Sequence, residues 1–372
     1  MKMKFIQSQH ILFPKLLPAL GLLILGVTPA PALEGWLGIH DPSTVIKCDE
    51  NYYVYGTGRG ISVLTSSNGF SWQRGERVID RIPESVKSFM PENDGQSVWV
   101  PDIIKLDGKF SLYYSSDNPT GPYKDEGLLW PDNEGGKGHN VTALVLPDGS
   151  YAVVVSETRP GDVFASKSLD GPWKQIGSIK VKAQPKWHAS NVCPIIRPDG
   201  GFEIIGRSGD MLISTNGSLG PYVVQGPSIY PQISSLPQYN LEDPVIWYSG
   251  GLYHITVNCW SDRKAFLLTS PNGITDWTNR GLAYDPTKDF LRYSDGTVNH
   301  WNKIERPGIC MENGQVIYFT FAVIDVPKEQ DRGNMLHGSK VIVAPFNGAA
   351  LDRDLQNAAG MPSPPSPSAK NQ

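Results

Sequence analysis

The sequence predicts an all-β protein folded as a single β-propeller. Six hairpins follow one another along the chain, and a short polar turn recurs five times. The composition also fits, with 38 Gly, 31 Pro and 10% aromatic residues among 372 residues. About four strands in roughly fifty residues is the size of a propeller blade, and repetition at that period is typical of this architecture.

Each hairpin consists of an apolar, β-branched or aromatic run, a turn containing Asp, Asn or Gly, and a second run. They are TVIKCDENYYVYG, DIIKLDGKFSLYYS, ALVLPDGSYAVVVS, PIIRPDGGFEIIG, VIWYSGGLYHITV and GICMENGQVIYFTFAV. Six hairpins indicate six blades. The segment near LEGWLG, which begins at Leu33, would then complete the last blade and close the ring.

The recurring turn has a Ser, then Asn or Asp near a Gly, then an aromatic residue. Its copies are SSNGFSW, SSDNPTGPY, SLDGPW, STNGSLGPY and SPNGITDW, which begin at Ser66, Ser115, Ser168, Ser214 and Ser270. The Asn or Asp and the Gly favour a tight turn, and the aromatic side chain packs back on the sheet. A β-sandwich has similar hairpins but does not need this repeated turn, so the propeller is favoured.

The two ends of the chain are predicted to lie outside the propeller. Residues 1–32 have the features of a secretory signal: lysines, a short apolar run and the small residues Ala30 and Ala32. An uncleaved membrane anchor is the alternative. Residues 33–350 form the propeller, and the Pro/Ser-rich residues 351–372 are predicted to be a disordered tail. We therefore expect a secreted or periplasmic protein.

Charge and cysteine content exclude several classes of partner. The net charge of -4 and the lack of a basic block argue against nucleic acid. After removal of the signal we expect no membrane contact, and we expect a monomer. The four cysteines fit no zinc pattern. A bridge between Cys48 and Cys310, which occupy similar places in two repeats, and unpaired buried thiols both remain open.

Polar side chains stand at or just before the first strand of every predicted blade. They are Asp41, Asp102, His139, Asn140, His188, Asn191, Glu242, Asp243 and Glu305. The innermost strands of a propeller surround its axis, so these residues should converge on one pocket. Any one of them could instead cap a strand end. As a set, with paired carboxylates, they suit glycoside cleavage, in which one acid protonates the leaving oxygen and another carboxylate activates water.

Several tryptophans lie near the same strand starts and could stack on sugar rings or pack between blades. They are Trp99, Trp187, Trp247, Trp260 and Trp301.

The segments HDPSTVIKCDENYYVYGTG, GISVLTSSNGFSW and SVWVPDIIKLDGKFSLYYS resemble the opening of glycoside hydrolase family 43. The resemblance implies a five-bladed propeller and arabinanase, xylosidase or galactanase activity. It implies that Asp41 is the general base and that Glu242, in LEDPVIWYSGGLYH, is the general acid. The resemblance is strong over about the first hundred residues after the signal and weaker beyond them.

The chain departs from this family in its third carboxylate, an Asp that orients the acid and tunes its pKa. The corresponding strand starts read GHNVT and WHASN, and IERP adds Glu305, similar to a segment of some galactan-cleaving members. Either His139 or His188 replaces the carboxylate, or Glu305 is catalytic, or activity is lost. The predicted substrate-binding residues are His40, Asp102, His139, Asn140, His188, Asn191, Asp243, Arg306, Trp99 and Trp187.

The leading interpretation is a secreted glycoside hydrolase that cleaves poly- or oligosaccharides, by inversion if the two carboxyl groups are far enough apart. The alternatives are a glycan-binding propeller without turnover, a sialidase-like six-bladed hydrolase and a polysaccharide lyase. The sialidase reading is disfavoured because the strand starts are rich in acidic and imidazole groups and lack an arginine cluster. No cofactor is expected. Structural Ca²⁺ is left open, because no loop has a recognisable calcium spacing.

Overall fold

A computed structural model of the chain describes residues 34–40, 42–43, 45–58, 60–79, 104–106, 109–111, 114–116, 124–125, 139–146, 148–156, 161–168, 172–184, 187–288, 291, 301–332 and 338–359. The predicted signal and the predicted site residues Asp41, Trp99 and Asp102 lie outside the described residues.

Short strands dominate the described chain. In the first half they are β1 (Glu34–Gly35), β2 (Ile46–Cys48), β3 (Asn51–Gly56), β4 (Ser62–Ser66), β5 (Ser71–Arg74), β6 (Ile104–Leu106), β7 (Lys109–Ser111), β8 (Tyr114–Ser116), β9 (Lys124–Asp125), β10 (His139–Val145), β11 (Tyr151–Ser156), β12 (Asp162–Ser166) and β13 (Lys174–Ser178). In the second half they are β14 (Cys193–Ile196), β15 (Phe202–Ile205), β16 (Met211–Ser214), β17 (Val223–Val224), β18 (Leu241–Ser249), β19 (Leu252–Cys259), β20 (Lys264–Ser270), β21 (Thr278–Tyr284), β22 (Lys303–Glu312), β23 (Gln315–Ile324) and β24 (Ser339–Pro345). Two 3-10 turns occupy Tyr230–Gln232 and Lys328–Gln330, and one helix, α1, spans Gly348–Ala359.

The strands form six antiparallel sheets in chain order, and β1 adds to the first of them in parallel beside β5. Five sheets contain strands of four residues or more, whereas the sheet of β6 to β9 has strands of only two or three. First strands of neighbouring sheets contact one another: β10 contacts β14, β14 contacts β18, and β18 contacts β22. The predicted all-β propeller is thereby confirmed, with inner strands gathered around one axis.

The ring is closed by residues from the start of the described chain. The carbonyl oxygen of Leu37 accepts the N–H of Val341 in β24 at 3.2 Å, and Gly38 forms a bridge with Lys340. The sequence predicted that the strand near LEGWLG completes the last blade. Leu37 and Gly38 do contact β24, but the strand itself, β1, pairs with the first sheet. Because a closed ring leaves no open sheet edge at the junction, the closure protects the last blade.

The recurring turn has the predicted structure. Ser66 Oγ accepts the N–H of Gly69 at 2.9 Å, and Asn68 Oδ1 accepts the next two backbone N–H groups at 2.9 and 2.8 Å. The same bonds recur in the turn at Ser270. Gly69 has a φ of +79°, which favours glycine, and Trp72 is only 1% exposed. Side-chain chemistry thus fixes this turn in the first and fifth sheets.

Arg197 forms an ion pair within the fourth sheet and a hydrogen bond to the fifth. Arg197 Nη1 binds the carboxylate of Glu203, which is fully buried in β15, and Arg197 Nη2 donates to the carbonyl of Asn272 at 3.1 Å. The guanidinium also lies 5.0 Å from the ring centroid of Tyr253. Burial raises the pKa of Glu203 to about 7, against the opposing charge of Arg197.

The C-terminal helix corrects one prediction. Residues 351–372 were expected to be a disordered tail, but α1 runs to residue 359. Leu351 and Leu355 are each 6% exposed, and they pack into the core beside the sixth sheet. Their i, i+4 spacing gives the helix an apolar face, which the polar composition of this segment concealed. Residues 360–372 lie outside the described part of the chain.

Polar groups fix the helix to the hairpin of β18 and β19. Ser249 Oγ donates to Asp352 Oδ1 at 2.9 Å and lies 3.3 Å from His254 Nε2. Gln356 Nε2 donates to the carbonyl of Gly250 at 2.7 Å. Burial lowers the pKa of His254 to about 4, so its imidazole is neutral at pH 7.

All four cysteines are unpaired, so the open choice for Cys48 and Cys310 resolves to free thiols. Among the described residues, no helix is long and apolar enough to cross a membrane.

Candidate functional site

The first residues of β18 and of β22 have the same irregular backbone conformation. After Glu242 and after Glu305 a β-bulge sets two residues against one on the partner strand. The residue that follows each glutamate, Asp243 or Arg306, has a φ of +49°. Bulges of this kind re-aim side chains near sites. The shared geometry confirms that LEDP and IERP are equivalent points of the repeat, and it presents two glutamates at the same end of adjacent blades.

An arginine that the sequence did not single out binds the predicted acid. Arg207 Nη2 lies 3.0 Å from Glu242 Oε2. Arg207 stands in the turn after β15, so this ion pair spans the fourth and fifth sheets. The side chain of Glu242 is 20% exposed and that of Arg207 is 45% exposed. No sequence motif marks Arg207; only the packing of the two sheets brings it to Glu242.

The surroundings of Glu242 favour its protonated form. Burial raises its pKa, and the negative charges of Asp243 and Glu305 add to the rise, while Arg207 and Lys303 oppose it. A general acid must keep its proton near the working pH, and enzymes achieve this by burial and by neighbouring carboxylates. Glu242 has both features.

The two other carboxylates complete a compact charged cluster. Burial raises the pKa of Asp243, Glu305 raises it further, and Arg306 gives the largest opposing effect. Glu305 forms an ion pair with Lys303. Three carboxylates and three cations (with Arg207) therefore interact at this end of the fifth and sixth sheets.

The cluster rests against buried polar groups. Asn258 lies directly opposite Glu242 in the ladder of β18 and β19 and is fully buried. The hydroxyl of Tyr284 donates to Asn258 Oδ1 at 3.4 Å. Burial raises the pKa of Tyr284 strongly, and all three carboxylates contribute to the rise, so the hydroxyl stays neutral. The charged cluster thus lies against two uncharged side chains, Asn258 and Tyr284, which are hydrogen-bonded to each other.

In the first sheet, His40 occupies the position of the two glutamates. It pairs with Thr57 across the ladder, and its side chain is exposed. In the sequence, Asp41 therefore corresponds to Asp243 and Arg306, because each of the three precedes a proline. The sixth sheet closes onto residues just before His40, so the fifth, sixth and first blades are consecutive around the axis.

The other predicted residues are placed as follows. His139 and Asn140 begin β10, although their side chains lie outside the description. His188 is exposed, and Asn191 is half-buried with a φ of +41° in the segment that leads into β14. Trp187 was predicted to bind substrate, but it is 7% exposed and packs in the core of the third and fourth sheets. Its ring fills space between blades, so little of it is left for a sugar.

Within the described ranges, no group of three or more His, Cys, Asp or Glu side chains is arranged to hold a metal ion.

No protein-family model matches the chain. Among curated proteins, it is 33% identical over 152 residues to an extracellular endo-α-(1→5)-L-arabinanase of Bacillus subtilis, covering 35% of this chain and 46% of the relative. It is 34% identical over 77 residues to an extracellular exo-α-(1→5)-L-arabinofuranosidase of Cellvibrio japonicus, covering 21% and 22%. It is 25% identical over 196 residues to an arabinan endo-1,5-α-L-arabinosidase of Aspergillus niger, covering 47% and 54%.

The chain thus matches about half the length, or less, of these curated relatives. A solved family 43 endo-arabinanase from Bacillus licheniformis aligns with a TM-score of 0.43 at 19% identity, covering 85% of this chain and 97% of that one. The sequence matches confirm the likeness to family 43 arabinanases that the motifs indicated.

Proposed function

We propose that this chain is a secreted glycoside hydrolase that cleaves a poly- or oligosaccharide at the carboxylate end of its propeller. The observation that carries the proposal is Glu242, which combines the position that the family resemblance gives to the general acid with a half-buried site and a raised pKa. The extracellular relatives and the predicted signal support export.

In the proposed mechanism Glu242 protonates the leaving oxygen and Asp41 activates water. Arg207 holds one oxygen of Glu242, which leaves the other free to carry the proton to the substrate. Inversion follows if the two carboxyl groups stand about 6.5–9.5 Å apart, with room for a water between them. In other members of the family a third carboxylate places a negative charge beside the acid. Here that carboxylate is missing, and Asp243 supplies the charge instead.

Glu305 has two roles open to it. Its ion pair with Lys303 and its equivalence to Glu242 suit either a substrate hydrogen bond or the second catalytic carboxylate. We assign His40, Asp102, His139, Asn140, His188, Asn191 and Arg306 to binding sugar hydroxyls. Because the curated relatives are arabinanases and an arabinofuranosidase, α-1,5-linked arabinan is the first substrate to test.

The decisive variant is Glu242→Gln, which keeps the shape of the side chain and removes the transferable proton. We expect turnover to fall about 10²–10⁴-fold, the usual worth of general acid catalysis. Product formation from arabinan, arabinoxylan, galactan and pectic fragments would be followed by reducing-sugar assay. Glu312→Gln, on an exposed carboxylate of the same strand as Glu305, is the matched control and should be unchanged.

Glu305→Gln separates the two roles of that residue. Loss comparable to that of Glu242→Gln would make Glu305 the second catalytic carboxylate, whereas a raised KM with kcat kept would make it a substrate ligand. Full activity of Glu242→Gln on the substrate cleaved by the wild type would refute the assignment of the acid.

A second candidate is a glycan-binding propeller without turnover. It is favoured by the strand starts GHNVT and WHASN, where no aspartate stands. It predicts saturable binding in calorimetry with no new reducing ends from any substrate of the panel.

A further inference from the structure

At the carboxylate end of the fifth and sixth sheets, two arginines are more exposed than the carboxyl groups around them. The side chain of Arg207 is 45% exposed, and Arg306 is exposed as well. The side chains of Glu242 and Glu305 are only 20% and 24% exposed, and Asp243 is half-buried. A ligand that enters from solvent therefore meets the two guanidinium groups before it reaches the carboxyl groups.

Arg207 is held at this end by its backbone and by one side-chain bond. Its N–H donates to the carbonyl of Ser190 at 3.0 Å, which puts it beside the segment of His188 and Asn191 that leads into β14. Its Nη2 donates to Glu242 Oε2 at 3.0 Å. A guanidinium has five N–H donors in a planar fork, so this one bond leaves the fork able to bind a second anion.

Arg306 is presented by a strained backbone. It has a φ of +49° directly before Pro307. The left-handed region is uncommon for residues other than glycine, and a following proline pushes a residue towards extended conformations instead. Strained residues of this kind persist where the surrounding structure requires them, and they cluster at ligand sites. The bulge after Glu305 thus places a positive charge at the site that a regular strand would not place there.

The two arginines act on the same carboxyl group. Burial raises the pKa of Asp243, and Arg306, Arg207 and Lys303 each lower it. Since such effects weaken with distance, these cations surround one point of the site. Lys303 is paired with Glu305, so the arginines are the cations that face a ligand. Burial also favours the neutral forms of the acidic groups, which leaves the positive charge less compensated.

A neutral sugar does not need this charge. Its hydroxyl groups are bound by imidazole and amide groups such as those of His40, His188 and Asn191. An exposed guanidinium instead matches an anion with two equivalent oxygens, which it binds through two parallel N–H donors. The sequence concealed this feature because Arg207 comes from a turn and not from a strand start.

The tryptophans near the strand starts offer little surface for stacking. Trp187, Trp247 and Trp301 are at most 8% exposed, whereas Trp260 is 42% exposed. Stacking on a single ring does not distinguish a charged sugar from a neutral one. The polar and charged groups therefore carry most of the recognition, and their charge decides which sugars fit.

We propose that the site selects an anionic saccharide, and that a carboxylate or sulfate group on the ring bound at the cleavage point is held by Arg207 and Arg306. This inference rests on the proposed function and names its substrate class. Uronic acids carry the first group and sulfated sugars carry the second. The curated relatives are named for arabinan, which is neutral, so this charge selection sets the chain apart from them.

The test compares charged probes with neutral partners built from the same rings. The pairs are oligogalacturonate and its methyl ester, glucuronoxylan fragments and xylo-oligosaccharides, and sulfated galactan fragments and their desulfated forms. Calorimetry on the full chain uses the Asp41→Asn background, which removes the proposed base and keeps the pair of Arg207 and Glu242. For probes that the wild type cleaves, kcat/KM is compared as well.

We expect at least one charged probe to bind about tenfold more tightly than its neutral partner, the range of one charge-assisted hydrogen bond. Raising the ionic strength from about 0.05 M to about 0.5 M should weaken the charged probe more than the neutral one, because salt screens exposed charges. The uronate and sulfate pairs show which of the two groups is bound.

Arg306→Gln should lower the ratio of charged to neutral affinity about tenfold, and Arg306→Lys should keep most of it, since the positive charge remains. Arg207→Gln should lower the same ratio. A ratio unchanged in both glutamine variants would refute the assignment of the two arginines.

Arg353→Gln is the control, because Arg353 is an exposed arginine of α1, and α1 is bonded to Gly250 at the opposite end of β18 from Glu242. Its variant should keep the ratio of the parent. If the wild type cleaves a neutral glycan and prefers no charged probe to its partner, the charge selection alone is refuted. If it cleaves nothing but binds a charged probe through Arg306, the proposed function alone is refuted. If it neither cleaves nor binds any probe, both are refuted.

Discussion

At the scale of single residues, burial raises the pKa of Glu242, and two neighbours of opposite charge then tune it. Asp243 raises its pKa and Arg207 lowers it, so the two side chains act in opposite directions on the same carboxyl group. Because an acid catalyst is active only while protonated, its pKa fixes the alkaline limit of activity.

We expect Arg207→Gln and Asp243→Asn to move that limit in opposite directions. Removing the positive charge of Arg207 raises the pKa of Glu242 and shifts the alkaline limb of kcat/KM to higher pH. Removing the negative charge of Asp243 lowers this pKa and shifts the limb to lower pH. Rates measured from pH 4 to 9 would show this; a common direction for both variants would contradict the assignment of Glu242 as the titrating acid.

At the scale of elements, α1 is held on the fifth blade by groups that respond to pH. His254 is fully buried and stacks on Trp247 with 4.9 Å between ring centroids, and it reaches Asp352 through Ser249. Burial first, and Arg280 second, lower the pKa of His254. Burial raises the pKa of Asp352, which acts in the opposite sense.

This arrangement predicts acid sensitivity. The unfolded chain protonates His254 near pH 6.5, but the folded protein does so only near pH 4, so stability falls as pH drops through that window. The contribution of His254 is on the order of 2–3 kcal/mol. In His254→Gln, urea unfolding at pH 7 and at pH 4.5 should give closer free energies than in the wild type. An unchanged difference would show that another group is responsible. The smaller effect of Asp352, which stabilises as pH falls, persists in the variant.

At the scale of the whole molecule, the blades must be fixed to one another for the site to exist, since Arg207 and Glu242 come from different sheets. At the fourth and fifth blades, the hydrogen bond from Arg197 to the carbonyl of Asn272 does this, and the buried carboxylate of Glu203 holds the guanidinium in place. A buried carboxylate without its cation is costly.

We expect Arg197→Met to lower the free energy of unfolding by about 3–5 kcal/mol, because Glu203 loses its partner in the core. Adding Glu203→Gln should recover part of the loss, since no buried charge then remains. Arg353→Met, on an exposed arginine of α1, is the control and should change little. Urea unfolding of all four proteins measures this. If Arg197→Met is as stable as the wild type, the ion pair of Arg197 and Glu203 contributes nothing to stability.

The repeat was readable from the sequence because its signals are local. Ser66 and Asn68 lie within five residues of the backbone groups they bind, and the likeness of LEDP to IERP became two identical bulges. The contact of Leu37 and Gly38 with the last sheet was also predicted, whereas the pairing of β1 with the first sheet was not.

The rest depends on contacts between distant residues. Nothing near Arg207 in the chain points to Glu242, and the exposure of Trp260 against the burial of Trp187 depends on which face each blade covers. The helix α1 was missed because Leu351 and Leu355 stand among polar residues in the sequence. Their burial depends on the sixth sheet, against which they pack. Asp41, as proposed base, stays a prediction.

The closure at Leu37 and Gly38 has a consequence for assembly. It joins positions about three hundred residues apart in the chain, so the seam can form only after β24 has been synthesised. Until then the segment of Leu37 and Ile39 lacks β24, against which both side chains pack in the finished protein. The β24 strand of another copy can bind this segment in the same way, and such exchange of a terminal element between copies is a low-cost route to dimers. Refolding at high concentration should therefore produce strand-swapped pairs, and dilution should restore single rings.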